Sequence, residues 1–134
     1  MGYSCFNDAS IRDWQRHNPG PTPGKNFYRC GSFGPWIITQ DSMPGSDELH
    51  LETKLNGEVV QSADTSDLIH DVPRIIEYLS AFTPLEPGDV IATGTPSGVG
   101  MSRTPPLWMK AGDVVEVTIS HIGTLRNTIA DEGE

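Results

Sequence analysis

The run ELHLETKLNGEVVQSA, residues 48–63, constrains this chain more than any other segment. Leu49, Leu51, Thr53 and Leu55 alternate with His50, Glu52 and Lys54, the period of two that sends one set of side chains to one face of a strand. Asn56-Gly57 then supplies two residues that accept positive φ in a type I′ turn, and EVVQSA runs back. The segment predicts a β-hairpin with one buried face.

The remaining segments read as strands and loops around one main helix. GYSCFN, residues 2–7, predicts a strand running into Asp8, and its start so close to Met1 leads us to expect further chain upstream. Residues 10–16 predict a short helix with Asp8 or Ser10 as its N-cap. HNPGPTPG follows, and its prolines and glycines exclude both helix and interior strand. GPWIITQD predicts a short strand ending in a polar turn. Around 72–82, Val72, Ile75, Ile76, Leu79 and Phe82 form a stripe at helical spacing; Asp71 or a neighbour caps it, and Pro73 fits only its first turn.

LEPGDVIATGT and MKAGDVVEVTI each carry a Gly-Asp turn followed by β-branched residues, two independent turn-to-strand entries rather than an internal repeat. HIGTLRNTI predicts the last strand, before the acidic end ADEGE, which we expect to fray. The 14 glycines and 11 prolines in a chain only 36% hydrophobic agree with a mostly β (β+α) fold, one domain over residues 1–134. Its pairing is largely non-local, so strands lacking partners would leave open edges.

Composition removes several function classes. Lys+Arg is 9 against Asp+Glu 18, a formal charge of −9, and a phosphate backbone calls for the opposite field; nucleic acid is not an expected partner. No apolar run approaches the roughly 20 residues that cross a bilayer, and no membrane partner is expected. Cys5 and Cys30 stand alone, outside any CxxC, which suits free thiols and a cytoplasmic location. His17, His50, His70 and His121 show no metal-ligand spacing.

Two segments carry candidate chemistry. If Asp8 begins the short helix, Asp8, Arg12 and Gln15 fall at i, i+4 and i+7 on one face. An aspartate there can give its carboxylate to a hard cation, the arginine presents a fork for a substrate carboxylate, and the glutamine both donates and accepts. Lys25, delivered by the proline–glycine loop, is a point charge suited to an enolate or carboxylate oxygen. The plainer reading is an exposed helix with an Asp–Arg pair. The second segment, IATGTPSGVG, lacks the Gly-Lys-Ser/Thr of a phosphate loop and the GxGxxG of a dinucleotide fold. Gly94 and Thr95 could bring backbone N–H groups and a hydroxyl close to an anion, or the loop could simply need unusual φ/ψ.

Taken in order, GYSCFNDASIRDWQ, GKNF, GPWIIT, LNGEVVQSADTSDLI, LEPGDVIATGTPSGVG and PPLWMKAGDVVEVTISHIGTLRNTI closely resemble the fumarylacetoacetate hydrolase family over nearly the whole chain. The resemblance implies the C-terminal part of its catalytic domain, a mixed β-sandwich roll that usually works as a homodimer on 2-oxo acids such as acylpyruvates. It implies one divalent cation, Mg²⁺ or Mn²⁺ and in some relatives Ca²⁺, with Asp8 as a metal ligand. It also implies Arg12, Gln15, Lys25, Gly94 and Thr95 as substrate-binding residues, Lys25 and Arg12 being catalytic. Asn26 departs from the Ser or Thr commoner after the lysine. The E-x-E motif that supplies the other metal carboxylates and the general-base segment lie upstream of the aspartate in the family, and the EGE at 132–134 stands on the wrong side of the domain's order to replace them.

The implied reaction is carbon–carbon hydrolysis of an acylpyruvate or related 2-oxo acid through a metal-bound enolate. An isomerase, hydratase or oxaloacetate decarboxylase of the same family, or an inactive dimerisation module, is the alternative. Arg103, Pro105, Pro106 and Trp108 are expected to pack the rim of the site.

Overall fold

A computed structural model describes residues 1–43 and 49–131. Glu48, the first residue of the hairpin run, and the EGE at 132–134 lie outside the described residues. Six strands and two helices follow in the order β1 (Gly2–Asp8), α1 (Arg12–Gln15), β2 (Gly31–Thr39), β3 (His50–Leu55), β4 (Glu58–Asp64), α2 (Val72–Ser80), β5 (Val114–Ile119) and β6 (Gly123–Thr128). β1 and β2 form a two-stranded sheet; the second sheet has the order β4-β3-β5-β6, and every pairing is antiparallel.

The hairpin forms as its alternation predicts. Asn56 and Gly57 adopt φ of 52° and 84°, the left-handed pair that a type I′ turn requires. Asn56 also anchors the turn to the next strand: its side-chain amide donates to Asp113 Oδ1 at 2.9 Å, and its side-chain oxygen accepts from the Val114 N–H at 2.8 Å. Leu49 and Thr53 are buried and Leu51 and Leu55 half-buried, while His50 on the opposite face is exposed.

The core is small: Cys5, Leu49, Val115, Val117, Ile122 and Leu125. It joins the two sheets, because Cys5 of β1 lies among the residues of β5 and β6. Its thiol donates to the Gly123 carbonyl at 3.4 Å. A polar knot completes the junction, where Asn127 Oδ1 accepts from Asn7 Nδ2 at 3.1 Å and from Ser32 Oγ at 2.6 Å. Burial pushes the Cys5 thiol above its ordinary pKa, and both cysteines are free thiols.

Three expectations are corrected. The short helix spans only Arg12–Gln15, and Ile11, not Asp8 or Ser10, holds its N-cap position without a side-chain cap. Asp8 is the last residue of β1, paired with Gly31, so it does not share a helix face with Arg12 and Gln15. The turn in LEPGDV forms, yet no strand follows it. By contrast α2 is capped as predicted, Asp71 accepting from the Arg74 N–H at 2.8 Å, with a proline in its first turn. None of its residues is buried. No helix among the described residues is long and apolar enough to cross a membrane.

Candidate functional site

The end of β1 and the proline–glycine loop meet through one glycine. The Ile11 N–H donates to the Gly24 carbonyl at 2.9 Å, and the Gln15 N–H closes the first helical turn on Ile11 O at 3.0 Å. Gly24 is buried in this contact: a Cβ there would come within 2.7 Å of Ile11 O and 2.8 Å of Gln15 Cβ. A 3₁₀ turn, Thr22–Lys25, then carries the next residue to the strand end. Lys25 Nζ lies 2.7 Å from Asp8 Oδ2 and donates to the Asp8 carbonyl at 3.2 Å. The side chains are partly open to solvent, 26% for Lys25 and 46% for Asp8, so the pair is screened and adds little to stability.

Around this pair, Arg12 Nη1 donates to Gln15 Oε1, and Trp14 packs edge-on to Phe27, the second residue after Lys25. Cys30 sits behind it, its thiol donating to the Ala9 carbonyl at 3.4 Å. Burial raises the Cys30 pKa; the Lys25 charge opposes that shift and the Asp8 charge adds to it.

The glycine–threonine loop is pinned to β4. Gln61 Nε2 donates to Thr95 Oγ1 at 2.9 Å and to the Pro96 carbonyl at 3.0 Å. Arg103 Nε donates to the Gly98 carbonyl at 3.0 Å, and its Nη2 to the Val60 carbonyl. Gly98 has φ of 101° and faces Val60 so closely that any Cβ would collide with its carbonyl oxygen. Sequence reasoning missed Gln61, because a register shift between Thr53 and Lys54 sets it opposite the buried Thr53, whereas an unbroken two-residue hairpin would set it opposite Glu52 on the polar face.

Asp8, Arg12 and Lys25 line one open cleft together with Gln61, Gly94 and Thr95. Gln15 is not brought there; with Arg16, Pro19 and Met101 it lines a separate shallow recess. A contact joins the two neighbourhoods, Arg16 Nη2 reaching Met101 Sδ at 3.9 Å just beyond the glycine–threonine loop. Arg103 takes the role of a clamp beneath that loop.

A cation would find one donor in this set. Asp8 Oδ2 is paired with Lys25, and among the described residues no three His, Cys, Asp or Glu side chains are grouped to hold a metal. A hard cation asks for about six oxygen ligands, so these residues contribute to a site without completing one.

Two antiparallel sheets joined through a small core, with a strand-end carboxylate and lysine sharing a cleft with a glycine–threonine loop, define a mostly β protein of the roll class. The fold superposes on fumarylacetoacetate hydrolase from psychrophilic Exiguobacterium antarcticum with a TM-score of 0.93 and 40% identity, over 98% of this chain and 47% of that one. The chain belongs to the fumarylacetoacetate hydrolase family: the description "Fumarylacetoacetate (FAA) hydrolase C-terminal" matches residues 1–130. An oxaloacetate tautomerase of Bacillus subtilis is 43% identical over 129 residues, 96% of this chain and 43% of that protein. The 5-carboxymethyl-2-hydroxymuconate delta-isomerase of Mycobacterium smegmatis gives a TM-score of 0.87 at 40% identity, over 100% of this chain and 49% of that one. The chain thus spans about half, or less, of the length of these relatives.

Proposed function

We propose that this chain contributes the lysine-bearing part of an enzyme that interconverts the keto and enol forms of a 2-oxo acid. The observation that carries the reading is the hold on Lys25. An ammonium has three N–H donors, and Asp8 accepts two of them, one on its carboxylate and one on its carbonyl. The third is left to meet a substrate oxygen in the cleft. Tautomerisation moves one proton between the carbon next to the carbonyl and the carbonyl oxygen, and a fixed cation beside that oxygen stabilises the enolate between the two forms.

The other cleft residues suit the same substrate. Arg12 offers a planar fork to a carboxylate. Thr95 Oγ1 already accepts from Gln61, which leaves its O–H to donate to a second carboxylate oxygen. Asp8 would hold one position of a divalent cation, Mg²⁺ or Mn²⁺ with Ca²⁺ a third candidate, the remaining donors coming from outside the described residues. When bound, such a cation supplies Lewis-acid stabilisation of an enolate.

Relatives bearing tautomerase and isomerase names support this reading over carbon–carbon hydrolysis. Hydrolysis of an acylpyruvate is the second reading, favoured by the hydrolase that superposes at a TM-score of 0.93. It needs a further base to activate water, whereas ketonisation needs only a proton relay. The test follows loss of the enol absorbance of oxaloacetate with Mg²⁺, in this chain and in any longer polypeptide carrying it. A rate above the spontaneous one, abolished by Lys25→Met, supports the proposal; a rate indifferent to that substitution ends it.

A further inference from the structure

The chain has five asparagines, and only Asn56 is followed by a glycine; Asp8, Pro19, Phe27 and Thr128 follow the others. An asparagine before glycine is the pair most open to spontaneous deamidation, because no side chain on the second residue screens its backbone nitrogen from the asparagine Cγ. In that reaction the Gly57 nitrogen, its proton lost to solvent hydroxide, bonds to Asn56 Cγ. The Cγ–Nδ2 bond breaks and ammonia leaves. Water then opens the resulting succinimide ring to aspartate or isoaspartate. Nothing in the turn shields this route. Asn56 and Gly57 are exposed, and a Cβ placed on Gly57 would meet nothing within 4 Å.

What opposes the reaction is the hold on the side chain. The Asn56 amide nitrogen donates to Asp113 Oδ1 at 2.9 Å, and the amide oxygen accepts from the Val114 N–H at 2.8 Å. The Asn56 backbone N–H donates to the Val114 carbonyl at 2.8 Å. Asp113 is itself fixed: its Oδ2 accepts from the Lys110 N–H at 2.8 Å, and its own N–H donates to the Lys110 carbonyl at 3.0 Å. Swinging Cγ onto the Gly57 nitrogen breaks both side-chain bonds, and the one to the carboxylate is of the stronger, charge-assisted kind.

We propose that Asn56 is a deamidation site held shut by Asp113 and Val114, and that its conversion turns the anchor into a repulsion. The leaving nitrogen is the donor that meets Asp113. Deamidation puts an oxygen in its place, so a carboxylate at position 56 faces the Asp113 carboxylate where a 2.9 Å hydrogen bond stood. The isoaspartyl product also lengthens the backbone of a two-residue turn whose geometry admits no extra atom. The same turn sets the register of β4, whose Val60 carbonyl and Gln61 amide hold the glycine–threonine loop.

Peptide mapping by mass spectrometry after incubation at mildly alkaline pH tests this, with a synthetic peptide of residues 51–60 as the unconstrained reference. Asn56 in the folded chain should convert at least ~30-fold more slowly than in the peptide, because the reaction waits for local opening of the turn. Asp113→Ala should speed conversion in the chain by ~5-fold or more, the scale of one lost hydrogen bond. The other four asparagines serve as internal controls. Thermal unfolding at pH 7 gives the second readout. Asn56→Asp should lower the melting temperature, and adding Asp113→Asn should recover much of the loss. The swapped pair again sets one donor against one acceptor and leaves an oxygen each for the Lys110 and Val114 N–H groups. Conversion in the folded chain at the peptide's rate overturns the proposal, as does a rate unmoved by Asp113→Ala in a protein that circular dichroism shows to be folded. If that variant does not fold, the comparison of parent with peptide and the swapped pair decide. A double variant no more stable than Asn56→Asp alone overturns the repulsion. No readout depends on catalytic turnover, so this site and the tautomerase reading stand or fall separately.

Discussion

The Lys25 ammonium is bound to Asp8 twice, at 2.7 Å to the carboxylate and at 3.2 Å to the carbonyl, across a chain separation bridged by the buried Gly24. Because both side chains are partly solvated, the ion pair is worth no more than ~1 kcal/mol to folding. Lys25→Met should therefore leave thermal unfolding almost unchanged. Enol ketonisation should fall by ~100-fold or more in the same preparation, the usual scale for losing one fixed donor to a developing oxyanion. A large loss of stability with proportionate loss of activity would instead make Lys25 a structural strut.

Cation binding follows from the donor count. With Asp8 as one carboxylate and no grouped partners among the described residues, titration of the chain with Mn²⁺ by calorimetry should show no saturable site at micromolar concentration. Saturable micromolar binding that vanishes in Asp8→Asn would show that the described residues hold more of the coordination sphere than their geometry implies.

Two glycines of the glycine–threonine loop should respond differently to the same substitution. Gly94 and Gly98 both have φ above 100°, so alanine at either is strained, by ~1–2 kcal/mol for the backbone alone. At Gly94 a Cβ meets nothing within 4 Å, whereas at Gly98 it runs into the Val60 carbonyl. Gly98→Ala should thus lower the denaturant midpoint clearly more than Gly94→Ala, and should release the loop from β4. Equal midpoints would contradict the close approach.

The hairpin could be read from residues 48–63 because its information is local: a period of two and an Asn-Gly turn settle it without reference to anything distant. Asp8 was misread for the opposite reason. Beside Ser10 and a polar run it looks like a helix cap, but pairing with Gly31 claims it for β1, a tertiary contact that overrides the local signal. Asp8, Arg12, Gln15, Lys25, Gly94 and Thr95 stand out by local chemistry with a plain structural alternative, and resemblance assigns their roles. Their arrangement was not legible, because it depends on close approaches at Gly24 and Gly98 that composition cannot reveal. Gln61 lay hidden inside an otherwise ordinary strand.

Gln61 positions Thr95 by giving one amide nitrogen to its hydroxyl and to the Pro96 carbonyl. Gln61→Glu removes the donor and turns the side chain into an acceptor, so the Thr95 O–H should rotate toward it and away from the cleft. The expected signature is a KM for the 2-oxo acid raised ~10-fold, the scale of one lost hydrogen bond, with kcat nearly unchanged. Gln61→His, which keeps a donor, should recover part of the affinity. A fall confined to kcat would place Gln61 in the chemistry rather than behind Thr95.

Acid should loosen the hairpin through Asp113. Hydrogen bonds from the Asn56 side chain and from the Lys110 N–H hold the Asp113 carboxyl below its ordinary value of 3.8. A carboxyl depressed in the folded state binds its proton more readily when unfolded, so its contribution is fully present above that ordinary value and is lost as pH falls toward the folded one. Melting temperature measured from pH 6 down to pH 2 should therefore drop more steeply in the parent than in Asp113→Asn, which has no carboxyl there to protonate. At pH 6 the parent should melt higher, because an amide has a single acceptor oxygen and keeps only one of the two hydrogen bonds that Asp113 Oδ1 and Oδ2 accept from Asn56 and the Lys110 N–H. Parallel acid limbs for the two proteins would remove Asp113 from the acid response and leave its contacts with Asn56 a matter of turn geometry alone.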